Sequence, residues 1–194
     1  MRPFLVLAAT VLAACGSTSG GDAGCVDGSK SPPDLISNYS FECGGTTPSE
    51  WTAVYGTLSF PAGHTGRAAQ LTVDSAGGRL AYNPTLGTGG GTATFCVTAW
   101  VSGTSPYMKM RVLKQSGPGN FTEYDFNAPS GGSIWSRIPP TTALAIPFDN
   151  AQGLQLLFEA QQGRPDMNAK VGDTLLVDDV DFWQSTSGKC DEAR

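Results

Sequence analysis

From about residue 35 onward, apolar and polar positions alternate in short runs separated by Gly, Pro and Asn. In Tyr107–Lys114, Met108, Met110 and Val112 fall on one side, and Tyr107, Lys109 and Arg111 on the other. In Leu154–Gln161, Leu154, Leu156, Phe158 and Ala160 face one way, while Gln155, Glu159 and Gln161 face the other. A period of two is the pattern of a strand with one face in a core. Nine further runs read the same way: Ile36–Cys43, Trp51–Leu58, Ala68–Val73, Gly78–Tyr82, Ala93–Val101, Phe121–Phe126, Trp135–Ile138, Thr142–Ile146 and Thr174–Trp183. No stretch repeats every 3.6 residues, and no internal repeat is visible. Many short strands with turn residues between them predict an all-β fold, an antiparallel two-sheet β-sandwich of the jelly-roll kind.

The N-terminus breaks this pattern. Residues 1–14, MRPFLVLAATVLAA, have one basic residue (Arg2), an apolar centre and a small-residue end, the layout of a signal peptide. No run of 18 or more apolar residues follows, so no spanning helix is expected. Leu12-Ala13-Ala14-Cys15 resembles the bacterial lipobox, which implies cleavage before Cys15 and acylation of its thiol. Several acyl chains anchor a protein firmly without a transmembrane helix. Residue 16 is Gly rather than Asp, which for such lipoproteins in a Gram-negative envelope implies the outer membrane or cell surface. Residues 15–33 then read as a Gly/Ser-rich lipid-anchored tether, 34–190 as the folded domain and 191–194 as a tail.

Composition narrows the class further. Charged residues are 15% of the chain, Gly numbers 25 and Pro 13, and the formal net charge is −5. Losing Arg2 makes the mature chain more acidic still. An acidic protein of this kind does not bind nucleic acid, which needs a basic surface. A single His, His64, excludes multi-His metal sites. The five Cys are an odd number. With Cys15 given to lipid, Cys25, Cys43, Cys96 and Cys190 remain for disulfides in an oxidising compartment. Of the three possible pairings, chain topology favours Cys25 with Cys190, stapling the domain's ends, and Cys43 with Cys96.

Four segments resemble a known family. Asn38-Tyr39-Ser40-Phe41-Glu42 with Trp51, Gly63-His64-Thr65-Gly66-Arg67-Ala68-Ala69-Gln70-Leu71, Phe95-Cys96-Val97-Thr98-Ala99-Trp100-Val101 and Val177-Asp178-Asp179-Val180-Asp181-Phe182 occur in that order. They resemble conserved segments of secreted carbohydrate-binding modules with a galactose-binding-like jelly-roll fold, the type appended to cellulases and xylanases. The resemblance spans residues 35–183 and implies a glycan or polysaccharide partner. It also places Trp51 and Trp100 in the framework and gives His64 a structural place on a turn.

Alternation puts Asp178 on the face of Val180 and Phe182, at the edge of the core. An ionised carboxylate there needs a partner or a metal. Glu42 closes the first predicted strand, a neighbour of the last in a jelly roll, so a cation between the two acids is expected. Ca²⁺ suits an all-oxygen site. The resemblance implies the same ion, held by Glu42, Asp178 and carbonyls near Asn38 and Arg67; Asp179 is a weaker candidate, because its side chain should face outward. A turn cap or a pair with Arg67 is the alternative role for Asp178.

Sugar recognition needs planar polar groups and flat aromatic faces. Tyr107, Lys109, Arg111, Gln155 and Glu159 (with Gln161) supply the polar set; Tyr82, Tyr124 and Trp135 are the candidate platforms. Glu123-Tyr124-Asp125-Phe126-Asn127 resembles the E-x-D-x-E strand of jelly-roll endoglycanases, but Asn127 stands where a general acid is needed. A non-catalytic, surface-anchored glycan-binding lipoprotein is therefore expected. The rival is an envelope structural or adhesion protein that uses the same sandwich for protein contacts.

Overall fold

The computed structural model describes residues 35–36, 41–42, 51–75, 77–82, 92–128, 132–149, 153–160 and 169–191. They form eleven strands: β1 Trp51–Val54, β2 Gly56–Ser59, β3 Ala69–Val73, β4 Arg79–Tyr82, β5 Thr92–Gly103, β6 Met108–Gly117, β7 Asn120–Ala128, β8 Gly132–Ile138, β9 Leu144–Asp149, β10 Gly153–Glu159 and β11 Thr174–Gln184. No helix occurs among the described residues, so none there is long and apolar enough to cross a membrane. Cys15, Cys25, Asn38, Cys43 and Gln161 lie outside the described residues.

A five-stranded sheet runs β1-β4-β10-β6-β7, and a six-stranded sheet runs β2-β3-β11-β5-β8, with β9 also paired to β5. Every pairing is antiparallel. The architecture is the two-sheet β-sandwich that the alternation predicts. One core lies between the sheets and includes Leu71, Val97, Met110, Ile138, Leu156, Val177 and Phe182. At one end Trp51 packs on Phe41, Tyr82 and Phe158, with ring centroids 5.2, 4.9 and 6.2 Å away. Its indole Nε1 is buried without a hydrogen-bond partner among the described residues. At the other end the buried Lys114 spans the sheets, donating to Asp149 Oδ1 at 2.7 Å and to the Pro147 carbonyl at 3.0 Å.

Four details depart from the expectation. The run Trp51–Leu58 is broken at Tyr55, whose φ is +56°. The chain there leaves one sheet for the other, so β1 and β2 pair with different partners. Gly56 follows because a Cβ there would lie 2.7 Å from the Thr72 carbonyl. In the run Ile36–Cys43, the described residues are not in a strand, and Phe41 has a φ of +58°. The segment nevertheless adjoins β11, because Leu35 N–H donates to the Phe182 carbonyl at 2.7 Å.

The third departure is in β11. Asp178 pairs with Trp100 and Asp181 with Thr98, leaving Asp179 and Val180 opposite Ala99. This β-bulge, with Asp179 at φ +44°, shifts the alternation by one residue. Val177 and Val180 both face the core, and Asp178 leaves the face of Val180 and Phe182 on which simple alternation puts it.

The fourth is the disulfide. Cys96 is bonded to Cys190, with Cα atoms 5.6 Å apart. Neither Cys25–Cys190 nor Cys43–Cys96 can then form. Cys96 sits opposite Trp183 on the outer face of β5. After β11 the chain folds back across that face, where Cys96, Ala143, Trp183 and Cys190 form a small second cluster. Strand order, not chain order, selected the pair.

Candidate functional site

The outer face of the five-stranded sheet collects most of the predicted polar set. The Pro118-Gly119 turn, with Gly119 at φ +75°, closes the β6–β7 hairpin and sets its register. Arg111 thus lies directly opposite Asp125, and Lys109 opposite both Asn127 and Glu159. β10 in turn pairs Glu159 with Arg79. Arg111 donates from Nε to Asp125 Oδ1 at 3.0 Å, and its Nη atoms reach Glu123 Oε2 at 3.5 Å and Glu159 Oε2 at 3.6 Å. Lys109 Nζ donates to Asp125 Oδ2 at 3.3 Å.

Burial grades this network. The Glu159 side chain is 3% exposed, Arg111 20% and Glu123 52%. Beside them Ala81 and Leu157 are buried although they too point away from the core. The middle of this face is sheltered, and its acids form the wetter rim. Burial raises the Glu159 pKa above the usual carboxylate range; Arg111, Lys109 and Arg79 oppose that rise and Asp125 adds to it. For Arg111, burial acts to lower the pKa, but Glu159, Asp125 and Glu123 outweigh it and hold the guanidinium above its ordinary value.

Lys109, Arg111, Gln155 and Glu159 share this face as predicted. Tyr107 stands just before β6, half-buried, its N–H and carbonyl both bonded to the Ser105 hydroxyl. The three predicted aromatic platforms are elsewhere. Tyr82 is on the core face, packed on Trp51, because β4 presents Leu80 and Tyr82 inward. Tyr124 also packs against the core, opposite Val112, with Lys114 Nζ 5.8 Å from its ring. Trp135 belongs to the other sheet and meets His64 edge-on at 5.9 Å. An aromatic that the sequence reading passed over is on the polar face: Phe121, 54% exposed, pairs with Gln115 and alternates in phase with Glu123 and Asp125. Continuing the alternation of 121–127 from its inward residue Tyr124 would have found it. Glu123 and Asp125, the acids of the endoglycanase-like segment, are engaged by Arg111 and Lys109.

The second predicted site is the turn at 63–67, closed by Gly63 N–H to the Gly66 carbonyl at 2.8 Å. Asp178 is fully buried beneath it and accepts from Thr65 N–H at 3.0 Å and Asp179 N–H at 2.8 Å. Burial raises its pKa to about 6; the Thr65, Asp179 and His64 N–H groups oppose the rise, and the Asp179 charge adds to it. Glu42 accepts from Arg67 N–H on the same turn. A Cβ at Gly63 would strike the Asp178 carboxylate, and one at Gly66 the Glu42 carboxylate. The two acids therefore converge on one turn, as expected. Arg67 does not pair with Asp178; its guanidinium lies 5.4 Å from the Phe60 ring centroid. Asp178 does cap the turn.

Asp179, expected to face away, is bonded to the Thr65 hydroxyl at 2.9 Å and to His64 Nδ1 at 3.1 Å. His64 stacks on Trp100 at 3.9 Å, which fixes the turn. Trp100 is half-buried on the outer face rather than in the core, whereas Trp51 is a core residue. Among the described residues no group of three or more His, Cys, Asp or Glu could hold a metal. A cation at this turn would draw on the two carboxylates and on backbone carbonyls, of which that of Arg67 lies beside Gly63. An all-oxygen set of that kind fits a hard ion.

No protein-family model and no curated protein sequence matches the chain. Its fold has relatives among solved structures. The CBM22-1 xylan-binding domain of Paenibacillus barcinonensis Xyn10C superposes with a TM-score of 0.55 at 16% identity, over 75% of this chain and 91% of that one. The tandem CBM22-1–CBM22-2 domain of the same enzyme gives 0.52 at 17% identity, over 82% and 48%. The enzymatically active domain of bacteriophage CBA120 tailspike protein 4 gives 0.56 at 15% identity over 78% of this chain; the chain spans 21% of that protein. The chain thus has the antiparallel β-sandwich fold found in carbohydrate-binding modules.

Proposed function

We propose that this chain is a lipid-anchored envelope protein whose β-sandwich binds glycan without catalysis, through the outer face of the five-stranded sheet. The observation that carries this reading is the sheltered network of Arg111, Glu159, Asp125 and Lys109 on one sheet face. Such fixed planar donors and acceptors match sugar hydroxyls, and Phe121 at the end of the face offers an aromatic surface. The likeness to a xylan-binding domain supports the same direction. The acids that hydrolysis requires are committed here to ion pairs, and position 127 is Asn.

Ca²⁺ at the 63–67 turn is part of the proposal. Glu42, Asp178 and nearby carbonyls would hold it, and it would neutralise two acids that otherwise share one turn. Acylation at Cys15 would tether the domain to the outer membrane or cell surface; replacing Cys15 by Ser should abolish incorporation of labelled palmitate.

Retention of the detergent-solubilised protein in polyacrylamide gels containing xylan, galactan or mixed-linkage glucan tests the binding reading. Retardation by at least one polysaccharide, weakened in Arg111→Ala, is expected. Migration unaffected by every polysaccharide would overturn it and favour the adhesion reading.

A further inference from the structure

The opposite side of the sandwich carries a second constellation that the Arg111 face does not use. On the outer face of the six-stranded sheet, Trp100 and Arg137 are cross-strand partners on β5 and β8. With Thr141, Asp181, Cys190 and Asp191 they line a cavity of about 420 Å³. That volume is in the usual range for small-ligand sites, roughly 300–1,000 Å³.

Its walls are held by contacts on this outer face. The Trp100 indole is held by the stacked His64, which Asp179 holds in turn. Arg137 donates through Nη1 to the carbonyls of Pro139 at 2.9 Å and Thr141 at 3.2 Å. Among the described residues these are its hydrogen bonds, so Nε and Nη2 have no protein acceptor there. The 185–190 segment is pinned by Cys190 to Cys96 and by Ser185 N–H to the Thr94 carbonyl at 2.8 Å. Groups immobilised in advance lose little entropy on binding.

We propose that this cavity is a second glycan site, taking one or two sugar rings. An indole offers the flat apolar surface that a pyranose presents in return, the guanidinium supplies donors, and the exposed carboxylate of Asp191 supplies acceptors. With the Arg111 face on the other side, one domain could grip two chains or two points of one chain, and the avidity would exceed that of either site.

The test is a titration of the ¹⁵N-labelled protein, in a detergent without sugar head groups, with D-xylose, D-galactose, D-glucose and N-acetylglucosamine. Indole N–H signals of Trp100 and Trp183, which also lines the cavity, should shift saturably with at least one sugar, while that of the core residue Trp51 should not. Arg137→Ala and the exposed Asp191→Asn should each weaken that response at least tenfold, and Arg111→Ala should leave it in place. Absence of a saturable shift with all four sugars overturns the proposal. So do shifts that both cavity variants leave unchanged, or that disappear with Arg111→Ala. Gel retardation that Arg111→Ala leaves unchanged, with the Trp100 and Trp183 response intact, would reject the first site and keep the second.

Discussion

Replacing Arg111 by Met removes the cation nearest a carboxylate that is almost out of water. Glu159 is 3% exposed, and burial already lifts its pKa. Breaking a fully buried pair costs about 3–5 kcal/mol. Here the cost is smaller, because Arg111 is 20% exposed, its contact to Glu159 is 3.6 Å, and Lys109 and Arg79 still oppose the negative charge. About 1–2 kcal/mol is expected near neutral pH, a fall in Tm of about 2–8 °C for a domain of this size. The pH dependence isolates the cause. A carboxyl group whose folded pKa is raised binds more protons folded than unfolded, so stability falls as pH rises from its unfolded pKa through its folded one. Arg111→Met raises the folded value further and extends that fall to higher pH. The deficit should therefore be small below the carboxylate range, where Glu159 is protonated in both proteins, and largest near neutrality. Adding Glu159→Gln should recover most of it. Urea unfolding of the two single variants, the double variant and the parent across pH measures all of this. An equal deficit at acid and neutral pH, or no recovery in the double variant, would refute the electrostatic account.

Other consequences are as direct. Chelation of calcium should lower Tm, by an amount that grows with the free calcium originally present, and Asp178→Asn should remove the response; an identical melting curve with and without chelator contradicts the site. Gly66→Ala should destabilise more than Gly119→Ala: both positions have positive φ, but a Cβ at 66 strikes the Glu42 carboxylate whereas at 119 it meets nothing within 4 Å. Denaturant midpoints compare them, and equal losses would contradict the crowding at the turn. Cys96→Ser with Cys190→Ser opens a loop with a sequence separation of 94 and should cost about 4–5 kcal/mol in the chain-entropy model. Non-reducing peptide mapping should recover the Cys96–Cys190 linkage; recovery of Cys43–Cys96 would contradict it.

Local alternation already determined the layered architecture and much of the polar face. Leu154, Leu156 and Phe158 had to be buried together, so Gln155 and Glu159 had to point away with them. The same rule on β6 paired Lys109 with Arg111. That rule is reliable because successive side chains in a pleated strand take opposite sides whatever the strand's partners are. It failed where the backbone changed phase. The positive φ at Tyr55 sends one apparent strand into two sheets, and the bulge at Asp179 moves Asp178 off the face of Phe182. The aromatic assignments went wrong for a related reason. Tyr82, Tyr124 and Trp135 are equally plausible sugar platforms by residue type, and only their phase within paired strands shows two against the core and one in the other sheet. Disulfide choice and the convergence of Glu42 with Asp178 on one turn depend on which strands become neighbours. They bring together residues 94 and 136 positions apart, the first pair bonded directly and the second through the shared turn, distances over which local sequence preference carries no information.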